Sequence, residues 1–300
     1  MNSYPTTMAE QSTGVMVWWL CLGAVSVANI AAWSLLVARG ARVDAAQDEA
    51  LRTFRRRQVL LSAVFVFGCA FRSFLPFVEG ARFCLVGTWI SNAVVARAVA
   101  TLAELSLVAQ WALLLGWWAR EEGFRRVALA AKLLVPLIAL AEICSWYTAL
   151  TTNFAGSVIE ESIWAFTATL MTLSLFALWP RSRGGRRRFI GVAIVFTSIY
   201  VIFMCTVDVP MYALRWRRDQ ARGTHFLTVA EGARDGWSRK VVTRRWADWR
   251  EEIPWMSLYF SAGVWISISL MRVPVAARAR ATAARDDPAP AYERPYSTSL

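Results

Sequence analysis

The chain has 300 residues, of which 57% are apolar and 18% charged, with a formal net charge of +12. A basic balance of that size can serve nucleic-acid binding. Here the arginines stand in short connections beside apolar runs, where topology and anionic lipid headgroups account for them, so a nucleic-acid partner is excluded. Nearly the whole length is spent on apolar segments, which leaves no room for a sizeable soluble domain.

Seven stretches reach or approach the roughly 18 to 20 residues that a helix needs to span about 30 Å of hydrocarbon. They run over 14–38, 58–77, 88–118, 127–149, 158–179, 189–209 and 254–271. At that depth the backbone must satisfy its own hydrogen bonds, and continuous rather than alternating apolar runs make these helices, not barrel strands. The fold class is an all-α, polytopic seven-helix membrane bundle, placed in a cell (inner) membrane.

Arginines cluster after the first stretch (Arg39, Arg42, Arg52, Arg55, Arg56 and Arg57), the third (Arg120, Arg125, Arg126) and the fifth (Arg181, Arg183, Arg186, Arg187, Arg188). The positive-inside rule then puts these connections and the C-terminus in the cytoplasm and the N-terminus outside. The first stretch is too long for a signal peptide, has no Lys or Arg before it, and is followed by Arg39 and Arg42, so it is expected to stay attached. The organisation is an outer tail over 1–13, a membrane domain over 14–275 and a disordered cytoplasmic tail over 276–300, whose Asp286, Asp287, Pro288 and Pro290 are linker-like.

Sixteen tryptophans are read mainly as interfacial anchors. The five cysteines, Cys21, Cys69, Cys84, Cys144 and Cys205, lack the paired spacing of a zinc site and are read as buried thiols, with a disulfide at Cys84 the lesser alternative. The segment over 210–253, between the sixth and seventh stretches, is charged yet aromatic, and is expected to be an ordered outer element. Within it Val241, Val242, Trp246, Trp249 and Ile253 recur at helical steps, which predicts a short amphipathic helix on the membrane surface.

Ionisable residues inside membrane helices are costly, which makes each a functional candidate. They are Arg72 in the second helix, Arg97 and Glu104 in the third, Glu142 in the fourth, Glu160 and Glu161 opening the fifth, and Asp208 closing the sixth. Arg97, Thr101 and Glu104 share one helix face, with Glu104 about 10 Å deeper than Arg97. Glu142 and Glu160 flank a short turn and should lie within about 10 Å of each other in depth. Trp146, Tyr147, Asn153, Trp164, Tyr212, Trp255 and Tyr259 stand at the same level, so apolar walls with a few convergent polar groups are expected in the outer half. The structural alternative is that the arginines only neutralise carboxylates and hold the helices in register.

Several chemistries are excluded. His225 is the only histidine, so no multi-histidine metal centre can be built. The two lysines are Lys132, read as a snorkelling residue, and Lys240; the seventh helix has none, so a retinal Schiff base at the usual opsin position is not available. Gly184 and Gly185 lack the Lys-Ser/Thr of a phosphate loop. Ser257, Ser261, Ser267 and Ser269 have no histidine partner and are read as packing or backbone-bonded hydroxyls. No metal and no cofactor is expected.

The run Ile159, Glu160, Glu161, Ser162, Ile163, Trp164, Ala165, Phe166 resembles the paired-carboxylate motif that opens a membrane helix in integral-membrane carotenoid and terpene cyclases. It covers eight residues, and Ser157 and Val158 stand where that family usually has a proline. The resemblance implies that Glu160 and Glu161 protonate an isoprenoid end group or stabilise the resulting cation. The reading of the residues is a small-molecule site in which Glu142, Glu160, Glu161 and Asp208 carry the chemistry and Arg72, Arg97, Glu104 and the aromatic set bind an amphipathic or isoprenoid-like compound. Acid catalysis, transport or reception, and a purely structural role remain open alternatives, and membrane lipids are the only other partners expected.

Overall fold

The computed structural model describes residues 8–44, 48–273 and 275, and its order of elements is as follows. α1 (Met8–Asp44) and α2 (Glu49–Phe74) precede a hairpin of β1 (Phe77–Val78) and β2 (Phe83–Cys84). Next come α3 (Ala93–Glu121), α4 (Arg125–Thr151), α5 (Ala155–Leu178), α6 (Gly184–Phe203) and α7 (Val209–Ala221). The last are α8 (Val229–Ser238), β3 (Val241–Val242), α9 (Trp246–Trp249), α10 (Ile253–Leu258) and α11 (Val264–Arg272). Seven helical rods are long and apolar enough to cross a membrane; α6 with α7 forms one of them and α10 with α11 another.

The rods present apolar side chains outward as well as inward: Leu102, Ile143, Phe166, Leu173 and Ile202 are all exposed. In water such a belt would far exceed the apolar patch a soluble monomer shows, whereas lipid tails accept it. Between rods, two apolar cores form. One joins α3 to α6 through Trp111, Leu115, Trp118, Leu134, Ile138 and Leu175. The other joins α1, α2 and the last rod through Leu22, Phe65, Val66, Phe260, Val264 and Ile268. A buried polar node ties the two together: the Gln110 amide donates to the carbonyls of Gln58 and Ser267, and Ser267 shares hydrogen bonds with Gln110 and Ser62. Ser267 is therefore a fully buried inter-helix link rather than a backbone-bonded hydroxyl.

Helix ends follow local chemistry. The Asn92 side chain accepts from the Val95 amide and starts α3, five residues later than the apolar run suggested. Residues 75–92 are set aside for the hairpin and its turn because Pro76 cannot continue α2. Thr152 in the left-handed region (φ +60°) ends α4, and the Asn153 side chain accepts from Ala155 to begin α5.

Three expectations for the segment over 210–253 change. The sixth rod does not close at Val209: it widens into a π-helical turn over Met204–Asp208 and continues to Ala221. Pro210 lacks the donor that the Thr206 carbonyl would use, and a local widening absorbs that defect without ending the helix. The helical repeat over 241–253 is not one amphipathic helix. Val241 and Val242 pair parallel to Phe83 and Cys84 as the third strand, with α9 and α10 after them, because the exposed edge of the hairpin supplies backbone partners that a surface helix would leave unused. The regular helix of the segment is instead α8, started by a capping box in which Thr228 and Glu231 satisfy each other's backbone amides.

The three strands (order β1-β2-β3), α8 and α9 form a cap over one end of the bundle; the arginine-rich connections after α1, α3 and α5 lie at the other, basic end, while nine more arginines stand on the cap side over 210–253. Arg82, 1% exposed and with φ +58°, is the hub of the cap. Its guanidinium donates to Asp235 and to the carbonyls of Glu79, Ala149 and Leu150, joining hairpin, α8 and the end of α4. Gly232 is required there, since a Cβ would collide with the Leu150 carbonyl. Trp249, fully buried, packs on Trp18 and Phe83 and donates to the Thr243 carbonyl. Within the expected outer tail, helix α1 begins at Met8, while residues 1–7 and the expected tail over 276–300 lie outside the described residues.

Candidate functional site

Arg97, on α3 one turn below its cap, is buried and gathers four carboxylates from four segments. Its Nη2 lies 3.1 Å from Glu104 and 3.2 Å from Glu142; its Nη1 lies 3.6 Å from Glu79 and 3.9 Å from Glu160. Arg72, on α2, pairs with the other oxygen of Glu79 at 3.2 Å. Helix geometry explains the convergence: positions 97, 101 and 104 fall on one face of α3, and that face meets Glu142 on α4 and Glu160 on α5.

Neutral donors complete the shell. Thr101 donates to Glu142 at 2.6 Å and accepts from the Trp146 indole at 3.0 Å. Ser145 accepts from Arg97 at 2.6 Å, and Tyr259, in the π-helical turn over Tyr259–Gly263, donates to Glu104 at 3.4 Å. Arg72 also faces the rings of Trp255 and Phe260 at 5.9 and 5.8 Å. One oxygen of Glu142 and the Nε of Arg97 are buried with no hydrogen-bond partner among the described residues. Oxygens of Glu104, Glu142 and Glu160 all lie within 4.8 Å of one another, a spacing that suits a metal ion. The Arg97 guanidinium already stands among them as a cation, however, and a metal bound there would repel it.

Glu161 turns away from this group. Adjacent residues on a helix point about 100° apart, and Glu161 lies towards the sixth rod, near Tyr200 on α6, Asp208 in the π-helical turn and Tyr212 on α7. Asp208 sits in the first π-helical turn, and neither it nor Glu161 forms an ion pair among the described residues. Tyr212 stacks near Phe154 at 6.0 Å and under Arg215 at 5.6 Å. The four expected catalytic carboxylates thus divide between two clusters on either side of α5.

The remaining expected contacts fall elsewhere. Trp164 packs against the α3–α6 core. Tyr147 is exposed, and its hydroxyl accepts a long hydrogen bond at 3.4 Å from Asn153, whose own side chain starts α5. Trp255 belongs to the rim, donating to Glu252 at 2.5 Å. Sequence reasoning missed Glu79, which bridges Arg72 and Arg97 from the hairpin, and Arg82; both lie outside the apolar runs, and only the hairpin brings them inward. The thiols are free: Cys69 and Cys84 are buried, Cys144 is half-buried, and Cys21 and Cys205 are exposed on the apolar exterior, contrary to the expectation that all are buried.

In the cap, titrating groups sit in contrasting surroundings. The Thr243 hydroxyl, with Arg245, holds the Asp248 carboxyl below its ordinary value, while burial pushes Glu252 up. Burial also pushes the Cys84 thiol up, against the opposing pull of Lys240. No protein family, curated protein or solved structure matched this chain, so the site is characterised by its own geometry.

Proposed function

We propose that this chain is a multi-pass integral membrane protein, with the cap outside and the basic end in the cytoplasm, whose outer-half carboxylate and arginine cluster binds a small amphipathic molecule. The observation that carries the reading is a charge imbalance. Among the described residues, Glu79, Glu104, Glu142 and Glu160 pair with no cations other than Arg72 and Arg97, four negative groups against two positive ones, in a buried setting. Two negative charges left over in such a medium must be offset by protons or by an incoming cation. A ligand with an apolar body and a positive head would meet both the aromatic rim and the surplus charge, releasing protons as it binds.

The test is a thermal-shift and proton-release screen of lipid-soluble amines, quaternary ammonium compounds and neutral isoprenoids on the detergent-solubilised protein. Stabilisation by cationic members, with proton release that disappears in Glu142→Gln, supports the reading. Equal indifference to every class sinks it.

A second reading rests on Glu161 and Asp208. Two neighbouring carboxylates that form no ion pair among the described residues would share a proton, which is what an acid catalyst of the cyclase type needs. It predicts a structural isomer of an isoprenoid substrate that forms with the wild type and is lost in Glu161→Gln. Formation of that product by the variant would remove the catalytic role.

A further inference from the structure

At the basic end, α3 and α4 pack closely through small residues, which leaves a groove along their seam. A cavity of about 500 Å³ opens between them towards the apolar exterior. Its floor is made of small residues, Ala112 and Gly116 on α3 and Ala128 and Ala131 on α4, with Arg120 and Lys132 on its border. Pro136, one turn beyond Lys132, cannot donate to the Lys132 carbonyl, so the helix wall is already weakened in its polar pairing at this level.

The two cations border the groove with no acid of the chain beside them among the described residues. Glu121 and Glu122 follow Arg120 directly in sequence, yet both pair with Arg186, at 3.1 and 3.2 Å. Among the described residues neither Arg120 nor Lys132 forms an ion pair. Arg120 folds back along the groove: a Cβ placed on Gly116 would lie 3.5 Å from its guanidinium and 3.8 Å from Ala131. Lys132 is exposed seven residues into α4, about 10 Å from the start of that helix. An ammonium facing lipid at that depth has to reach back towards the headgroup layer. A guanidinium and an ammonium therefore border one groove.

We propose that this groove is a binding site for one anionic glycerophospholipid of the leaflet at the basic end. An acyl chain lies over the small residues and the phosphate is held between Arg120 and Lys132. The inference rests on the membrane reading but not on the carboxylate cluster, which is at the opposite end. Charge complementarity selects the occupant. A second helix would fill a small-residue groove equally well, but it would have to bring its own acids to two cations that this chain's neighbouring acids leave unpaired.

Native mass spectrometry of the detergent-purified protein, exchanged into dioleoyl phosphatidylglycerol or dioleoyl phosphatidylcholine at equal mole fraction, tests this directly. The expected result is one phosphatidylglycerol retained per chain, phosphatidylcholine retained about tenfold less, and a rise in melting temperature with phosphatidylglycerol alone. Arg120→Gln with Lys132→Gln should abolish the difference, and Gly116→Leu should prevent retention of either lipid by filling the groove. Equal retention of both lipids by the wild type overturns the proposal, and this comparison holds even if a variant fails to fold. Equal stabilisation by inorganic phosphate would replace the lipid with a free anion. A dimer dissociated by Gly116→Leu would replace it with a second copy of the chain. Loss of ligand binding at the carboxylate cluster would leave this result untouched.

Discussion

Arg97 holds Glu142 at 3.2 Å across the α3–α4 interface, while the second oxygen of that carboxylate stays buried and unpartnered. The pair is thus both a clasp between two helices and an incomplete one. Removing either partner has unequal consequences, because Arg97 is the cation nearest to four carboxylates and Glu142 is only one of them.

Arg97→Gln is expected to lower stability by about 3 to 5 kcal/mol, the usual result of leaving buried charge uncompensated. Glu142→Gln keeps the acceptor for Thr101 and reduces the surplus of negative charge, so it should cost under about 1 kcal/mol or stabilise. Thermal unfolding in a fixed detergent compares them; equal losses would mean that the cluster is not governed by charge balance.

The cap should fail as a unit at Arg82. Arg82→Ala strips four hydrogen bonds from hairpin, α8 and α4 and leaves three carbonyls to find other donors. A loss of about 3 kcal/mol or more in the cap is expected, read as protease cleavage within 222–245 under conditions where the wild type resists. Intact resistance in that variant would show that the strands and Trp249 hold the cap without it.

Acid should act on the cap through two residues with opposite signs. Asp248 has its folded value depressed, so its contribution is complete above the ordinary 3.8 and is lost as the pH falls through the lower folded value. Asp248→Asn should therefore destabilise the cap at pH 7 and flatten its response to acid. Glu252 has its folded value raised, so folding carries a penalty at high pH that fades as the pH falls through that raised value towards 4.5. Glu252→Gln should raise stability at pH 7 and change little at pH 4. Hydrogen exchange of cap amides across this range separates the two, and parallel pH profiles in both variants would contradict the assignment.

The buried Gln110–Ser267 link should respond like a neutral network. Ser267→Ala removes one bond to Gln110 and one to Ser62, and about 1 to 2 kcal/mol is expected. Thermal unfolding of Ser267→Ala beside Ser269→Ala, whose parent is exposed, supplies the control.

The seven rods were readable because hydrocarbon thickness fixes their length and forbids polar interruption. The grouping of Arg97, Glu104, Glu142 and Glu160 followed from helical spacing and from running direction through a short turn. The same reasoning failed for Glu161 and Asp208, since it gave depth but not the direction in which two adjacent carboxylates point. Glu79 and Arg82 were missed because a loop residue's inward path depends on tertiary pairing that no local period encodes. Val241 and Val242 carry a helical repeat and a strand pattern equally well, and the edge of a distant hairpin decides for the strand.

The uninterrupted course from Gly184 to Ala221 has a mechanical meaning. At 38 residues it measures about 57 Å, nearly twice a hydrocarbon layer of about 30 Å. On the proposed membrane reading its far portion stands clear of the lipid like a mast, with the π-helical turn and Asp208 near the waterline. Force applied to the mast by anything that grips the cap would reach the Glu161 and Asp208 pair through one stiff lever, without passing through a flexible joint.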